Sequence, residues 1–212
     1  MPVTALTCLR VKNGLPLSDP ANIATLNDLR LGLLVQSART NTPAYLLAGV
    51  EDPAFLYILA PWDSVSQHVD EWIPSPTFQM LIETIAAEIE GSWLRHFDCD
   101  LLEHRDEATG DASLCSVSMV CIRRYLVSQD NKGGFDGAFD RLKHDMAAGR
   151  GVCGGWAVNR DVQEGDVQGG DAEEFIMLSW MQTTEVGLDH RASMQAFSSE
   201  VHIQHATWFL PL

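Results

Sequence analysis

The side chains best suited to chemistry in this chain are a few histidines and arginines set in short apolar segments. His96 lies in WLRHFDCDLL (93–102) and His205 in HIQHATWFLPL (202–212), two segments that read as equivalent strands. Histidine is the side chain most readily poised for proton transfer near neutral pH, so either imidazole is a candidate acid–base group. Asp98, two residues from His96, shares its face of an alternating strand and is placed to orient it. The competing reading is a structural histidine, hydrogen-bonded within the core. Arg10 and Arg123 recur in LTCLRVK (6–12) and MVCIRRY (119–125), segments that align with Cys8 against Cys121. An arginine on a half-buried strand must be paired. It anchors a carboxylate or enolate, or it closes an internal ion pair with Asp98, Asp100 or Glu51. Cys8 and Cys121 have no obvious base partner and read as small buried apolar residues.

A second constellation is aromatic. Tyr57, Trp62, His68 and Trp72, with Phe78 just beyond, form the densest grouping of aromatic and imidazole side chains. Trp156, Trp180, His190 and Trp208 are its loose counterpart. Six tryptophans in 212 residues suit an apolar pocket for a flat ligand. The same residues at strand ends also serve as ordinary core.

Positioning these groups is the task of elements that the chain writes twice, and a repeat of roughly 100 residues has to be read before anything else. FLYILAPW (55–62) matches FIMLSWMQ (175–182) as LTCLRVK matches MVCIRRY. In the first copy, Thr4–Lys12 reads as a strand ended by Asn13-Gly14. From Asn22, a helical N-cap candidate, apolar residues at 23, 26, 29, 33 and 34 give helical spacing. Tyr45–Val50 and Phe55–Ala60 form a hairpin, and Ser64 caps a short helix. After Pro74-Ser75-Pro76 a second helix carries apolar residues at 78, 81, 82, 85 and 89, with Gly91 as its C-cap. Trp93–Leu102 is the closing strand.

The second copy follows the same course. Ser116–Val127 is a strand, and Phe135, Phe139, Leu142 and Met146 share a helix face. Strands at Val152–Val158 and Glu174–Met181 flank an acidic loop. A helix near 184–198 and a terminal strand at 202–210 complete it. The expected class is α+β, with two ferredoxin-like β-α-β-β-α-β repeats at 1–102 and 116–212 joined by a polar linker at 103–115. Each repeat has helices for one sheet face only. The two sheets are therefore expected to pack on each other as a pseudo-dimer within the chain, which is also compatible with a further homodimer.

Composition narrows the function classes. A net charge of −15, from 14 basic and 29 acidic residues, argues against nucleic acid and against anionic membrane surfaces. No apolar run approaches the ~20 residues of a membrane span, and the first residues lack the pattern of a secretory signal. Five cysteines without CxxC or paired Cys/His spacing point to neither a disulfide framework nor a zinc site. A cytoplasmic protein with reduced thiols is the expectation. No GxGxxG or P-loop is present to hold a nucleotide.

Two fused β-α-β-β-α-β units, a Trp-x-Ser segment after the third strand (Trp62, Ser64) and a His-bearing last strand together resemble the dimeric α/β-barrel superfamily. The nearest likeness is to antibiotic-biosynthesis-monooxygenase-like proteins, particularly tandem forms from fungal secondary metabolism. The resemblance implies two sheets closing a barrel and a ligand cavity between sheet and helices. It implies chemistry ranging from cofactor-independent oxygenation of aromatic polyketides to cyclisation. Trp62 matches the tryptophan that begins the segment after the strand. His68 and Trp72 fall where some cyclases carry a Tyr/His pair, but no tyrosine stands there. No position matches a haem ligand.

The function expected from these readings is acid–base chemistry on a polyketide- or terpenoid-like intermediate, without metal or organic cofactor. His96 or His68 would shuttle the proton, and Arg10 or Trp62 would position a substrate oxygen. Tyr57, Trp62, Trp72, Phe78 and His205 would line the pocket for an apolar or aromatic small molecule. Two other readings stay open, a cofactor-free monooxygenase of a phenol or enol and a non-catalytic binding or scaffold protein. If only one half keeps a cavity, it is the first.

Overall fold

A computed structural model of the 212-residue chain describes residues 1–99, 119–145, 151–160, 172–181, 194–198 and 200–210. Eight antiparallel strands close on themselves in the order β1-β3-β2-β8-β5-β7-β6-β4. They are β1 (Val3–Val11), β2 (Tyr45–Gly49), β3 (Phe55–Trp62), β4 (Ile89–Phe97), β5 (Met119–Ser128), β6 (Val152–Arg160), β7 (Ala172–Met181) and β8 (Glu200–Leu210). Among the described residues three α-helices, α1 (Ile23–Thr40), α2 (Pro76–Ile85) and α3 (Lys132–Asp145), lie outside the barrel. A single π-helical turn, Gln67–Trp72, precedes α2.

The first four strands form one arc, β4-β1-β3-β2, and the last four form another, β8-β5-β7-β6. The arcs do not stack as two separate sheets. They join edge to edge through β2 with β8 and β4 with β6, so no strand of the barrel is left with a bare edge. The interior is filled by side chains of both arcs, among them Leu6, Cys8, Tyr57, Leu59, Trp93 and Phe97 from one and Val120, Ile122, Ile176 and Leu178 from the other. Outside, Val3, Ala5, Leu56, Ala60 and Trp62 pack under α1 and α2, while Tyr125, Val127, Phe175 and Met177 pack under α3.

Local sequence explains the element ends. α2 begins at Pro76 because Ser75 accepts a hydrogen bond from the Phe78 amide at 3.2 Å and proline fits the first turn. It stops at Ile85 rather than at Gly91. Gly91 stands within β4 opposite Leu9, so Ile89 reaches the core from the strand rather than from the helix. Asn22 precedes α1 but makes no capping bond. Its amide is spent on the loop before it, accepting from Asn13 and donating to Pro16 O at 2.8 Å. Asn41 ends α1 in the left-handed region with φ 55°.

The alignment of the two halves read from sequence is one residue out. Cys8 faces the barrel interior, but Val120 and Ile122 are the interior residues of β5, so Cys121 points to the opposite face. The partner of Arg10 by face is therefore Arg124, not Arg123. His96 stands opposite Ala5 on β1, whereas His205 stands opposite Cys121 itself on β5, so the two histidines do not occupy matching rungs. The expected linker at 103–115, most of the expected helix near 184–198 and Met146 lie outside the described residues. Among the described residues, no helix is long and apolar enough to cross a membrane.

Candidate functional site

Between the outer face of β1, β3 and β4 and the helices α1 and α2 lies a cavity of about 350 Å3. Its floor is Ala5, Thr7 and Leu9 with Ile58, Ala60 and Leu94, and its roof is Leu29 and Leu33 of α1 with Phe78, Leu81 and Ile82 of α2. Small residues make the space. Ala5 and Ala60 leave the sheet low, and Gly32 on α1 adds no side chain beside Leu81 of α2. Four polar side chains interrupt the apolar wall: Thr7, Asp28, Gln36 and His68.

His68 comes from the π-helical turn, and local hydrogen bonds explain how the turn begins. Asp63 N donates to Gln67 Oε1 at 2.9 Å, and Gln67 N donates to Ser64 Oγ at 3.1 Å. The widened turn closes with Ile73 N donating to His68 O at 2.9 Å, leaving His68 and Trp72 both buried against the sheet. Inserted π-turns occur often at functional sites because they re-aim side chains that an α-helix would carry elsewhere.

At the wall, His68 Nδ1 lies 2.7 Å from His96 Nε2, and both rings are buried. One of the two nitrogens donates and the other accepts, so the pair shares a proton along a defined line. Trp62 stacks on the His68 ring, with centroids 4.2 Å apart and planes at 7°. Trp72 flanks Trp62 at 6.3 Å and meets Phe78 edge-on at 5.6 Å. Burial, reinforced by the neighbouring His96, pushes the His68 pKa down to about 3, so His68 is neutral through the physiological range. With Nδ1 engaged by His96, its Nε2 makes no hydrogen bond among the described residues and is available to an occupant of the cavity.

Of the residues singled out from sequence, His68, His96, Trp62, Trp72 and Phe78 converge here. Three others lie elsewhere. Arg10 sits at the barrel mouth, exposed, over the Phe55 ring and 3.7 Å from Glu90, and does not line the cavity. Among the described residues its ion-pair partner is Glu90 rather than Asp98 or Glu51, and Asp100 lies outside the described residues. Tyr57 points into the barrel interior, because Ile58 and Ala60 take the cavity side of β3, and burial raises its pKa. His205 bonds to Glu51 on the β2–β3 turn and is partly exposed. Asp98 does not orient His96. Its carboxylate accepts from the backbone amide of Trp156, tying β4 to β6.

Sequence reading missed Gln36, Thr7 and Asp28. One signal was present: Gln36 occupies the next place in the helical stripe Leu26, Leu29, Leu33, where a further apolar residue is expected. Among the described residues no three His, Cys, Asp or Glu side chains gather as metal ligands would.

The fold is shared with solved structures of very different sequence. A protein named as a candidate monooxygenase from Fusobacterium nucleatum superposes with TM-score 0.62 at 9% identity, covering 99% of this chain and 93% of that one. An anthrone oxidase-like protein superposes with TM-score 0.60 at 11% identity, over 99% and 92%. A chlorite dismutase variant from Candidatus Nitrospira defluvii gives 0.57 at 11%, over 99% and 91%. No protein-family model matches the chain, and no curated protein does. The class these likenesses define is the dimeric α/β-barrel fold, here closed within one chain.

Proposed function

We propose that the chain is an enzyme that removes a proton from an apolar small molecule held between the sheet and α1/α2, with His68 as base and His96 as its proton acceptor. The observation that carries this reading is the 2.7 Å His68–His96 bond at the wall of an otherwise apolar cavity. In the tautomer with the His68 proton on Nδ1, Nε2 accepts the substrate proton and Nδ1 passes its own to His96 Nε2. The positive charge then rests one ring away from the substrate. Trp62 fixes the plane of the His68 ring, and Trp72 and Phe78 bound the substrate side. A positioned general base contributes about 10²–10⁴-fold when its pKa lies near the working pH. Because His68 is held down to about 3, the step relies on passing the proton on to His96. No step uses Arg10, and none needs a metal or organic cofactor.

The chemistry that fits is isomerisation, dehydration or cyclisation through an enol, of the kind that natural-product intermediates undergo. A second reading, cofactor-free oxygenation, is favoured by the names of two fold neighbours, the candidate monooxygenase and the anthrone oxidase-like protein. In that case the enolate formed by His68 reacts with O2; for a methylene flanked by two aryl rings the balance is CH2 + O2 → C=O + H2O. The duplication of a ferredoxin-like unit is part of the proposal, supported by the two matching strand orders about β1 and β5.

Anthrone serves as probe for both readings. Under argon, deuterium uptake at its methylene reports proton removal; in air, oxygen consumption reports oxygenation. We expect the full-length protein to accelerate exchange and His68→Phe to lose the acceleration by about a hundredfold or more. Oxygen uptake that follows the same variant selects the oxygenase. Exchange no faster than in buffer would remove the enzyme reading and leave the binding protein.

A further inference from the structure

The polar side chains on the cavity wall are few enough to say what kind of molecule the wall accepts. Gln36 is only 8% exposed, and its side-chain amide makes no hydrogen bond among the described residues. Its amide atoms keep some accessible surface on a residue that lines the cavity, so an occupant can reach them, and polar groups this far inside a protein are usually hydrogen-bonded. Its backbone is fully used in α1 and accepts a further bond from Thr40 Oγ1, so the side chain alone stands unmet. It faces the same cavity as His68, across a wall that is otherwise Leu29, Leu33, Ile58, Leu81 and Leu94.

Charge narrows the choice further. No lysine or arginine is among the described residues lining the cavity, and its one acidic side chain is Asp28. A carboxylate or phosphate entering would lose its hydration and meet no compensating cation. Asp28 is partly exposed, and a carboxyl group on the wall offers nothing that would attract an anion.

We infer that the cavity takes an uncharged, flat, largely apolar ligand bearing a carbonyl or hydroxyl oxygen, and that Gln36 is the residue that binds that oxygen. This rests on the cavity being the functional site, and it adds the substrate class and the residue that reads it. A carbonyl accepts from the Gln36 NH2, and a hydroxyl accepts from the NH2 or donates to the amide oxygen, so both fit and a carboxylate does not. With His68 at the wall and Gln36 on the oxygen, the ligand is held by two polar points and by apolar contact elsewhere, which fixes its orientation.

The test compares three probes of one size by calorimetry on the full-length protein: 1-naphthol, naphthalene and 1-naphthoate. The expected order is 1-naphthol bound about tenfold more tightly than naphthalene, with 1-naphthoate weakest. In Gln36→Leu, and in the near-isosteric Gln36→Met should the first variant unfold, naphthol and naphthalene should bind alike while naphthalene keeps its wild-type affinity. Retention of the tenfold preference in both variants would remove Gln36 from the role. Binding of 1-naphthoate as tight as that of 1-naphthol would overturn the uncharged-ligand inference while leaving the cavity as the site. Failure of all three probes to bind the wild-type protein would overturn the inference together with the cavity reading beneath it.

Discussion

At the scale of single residues, the site depends on an imidazole kept neutral by its surroundings. A histidine in water titrates near 6.5, but His68 is held down to about 3 by burial and by His96. Two outcomes follow with opposite appearance. As a base, His68 stays unprotonated when the pH falls through 6.5. The rate of proton removal is therefore expected to stay flat from about pH 8 to about pH 5, and an inflection near 6.5 in kcat/KM would point to another base. Stability behaves differently. The unfolded chain protonates this histidine below 6.5 while the folded chain does not, so its contribution is intact above 6.5. That contribution is lost progressively as the pH falls towards 3. Urea midpoints measured between pH 7 and pH 4 should fall less in His68→Phe than in the wild-type protein.

At the scale of elements, the seam between the two arcs is held by charge inside the barrel. Glu174 of β7, 6% exposed, receives Arg95 of β4 at 3.0 Å and Arg124 of β5, while Arg124 lies 4.6 Å from the Trp93 ring centroid. Glu174→Gln removes the carboxylate shared by the buried Arg95 and the partly buried Arg124. Removing one partner of a buried network of this type costs about 3 kcal/mol. We expect a fall of that size in the unfolding free energy from urea titration, without change in the His68–His96 geometry on the outer face. The helices α1 and α2 were legible because their apolar spacing is long and their start signals, Ser75-Pro76 above all, are local. The π-helical turn was not, because nothing in QHVDEW distinguishes it from a short α-helix. Its register comes from the bond of Ile73 N to His68 O and from packing on Trp62.

At the scale of the molecule, the barrel makes the halves interdependent in two ways. Each arc alone would expose the apolar residues now filling the interior, at roughly 25 cal/mol per Å2 of apolar surface. It would also leave β2 and β4 as open edges, available for pairing with other chains. Residues 1–105 expressed alone are therefore expected to aggregate, or to dimerise through those edges, and not to unfold cooperatively as a monomer. Sedimentation and thermal unfolding of the fragment check this. A stable, cooperative monomer would show that the first half closes its own core.

The sequence by itself determined the periodic features: the eight strands and the helices α1, α2 and α3 in their order, the apolar character of the pocket, and His68, His96, Trp62, Trp72 and Phe78 as residues to watch. These are set by local spacing and composition, which one strand or helix carries without the rest. Which face each strand turns inward was decided only in the tertiary structure. A shift of one residue exchanges every side chain between interior and exterior, and aligning Cys8 with Cys121 looks as good in the letters as the register the barrel requires. The same reason separates His205 from His96, and sends Tyr57 into the interior and Arg10 to the mouth. Gln36 stood in the apolar stripe of α1, but its meaning depends on a cavity that the distant Ala5, Ala60, Gly32 and Leu81 shape together. Such a space forms only when three strands and two helices close on one another.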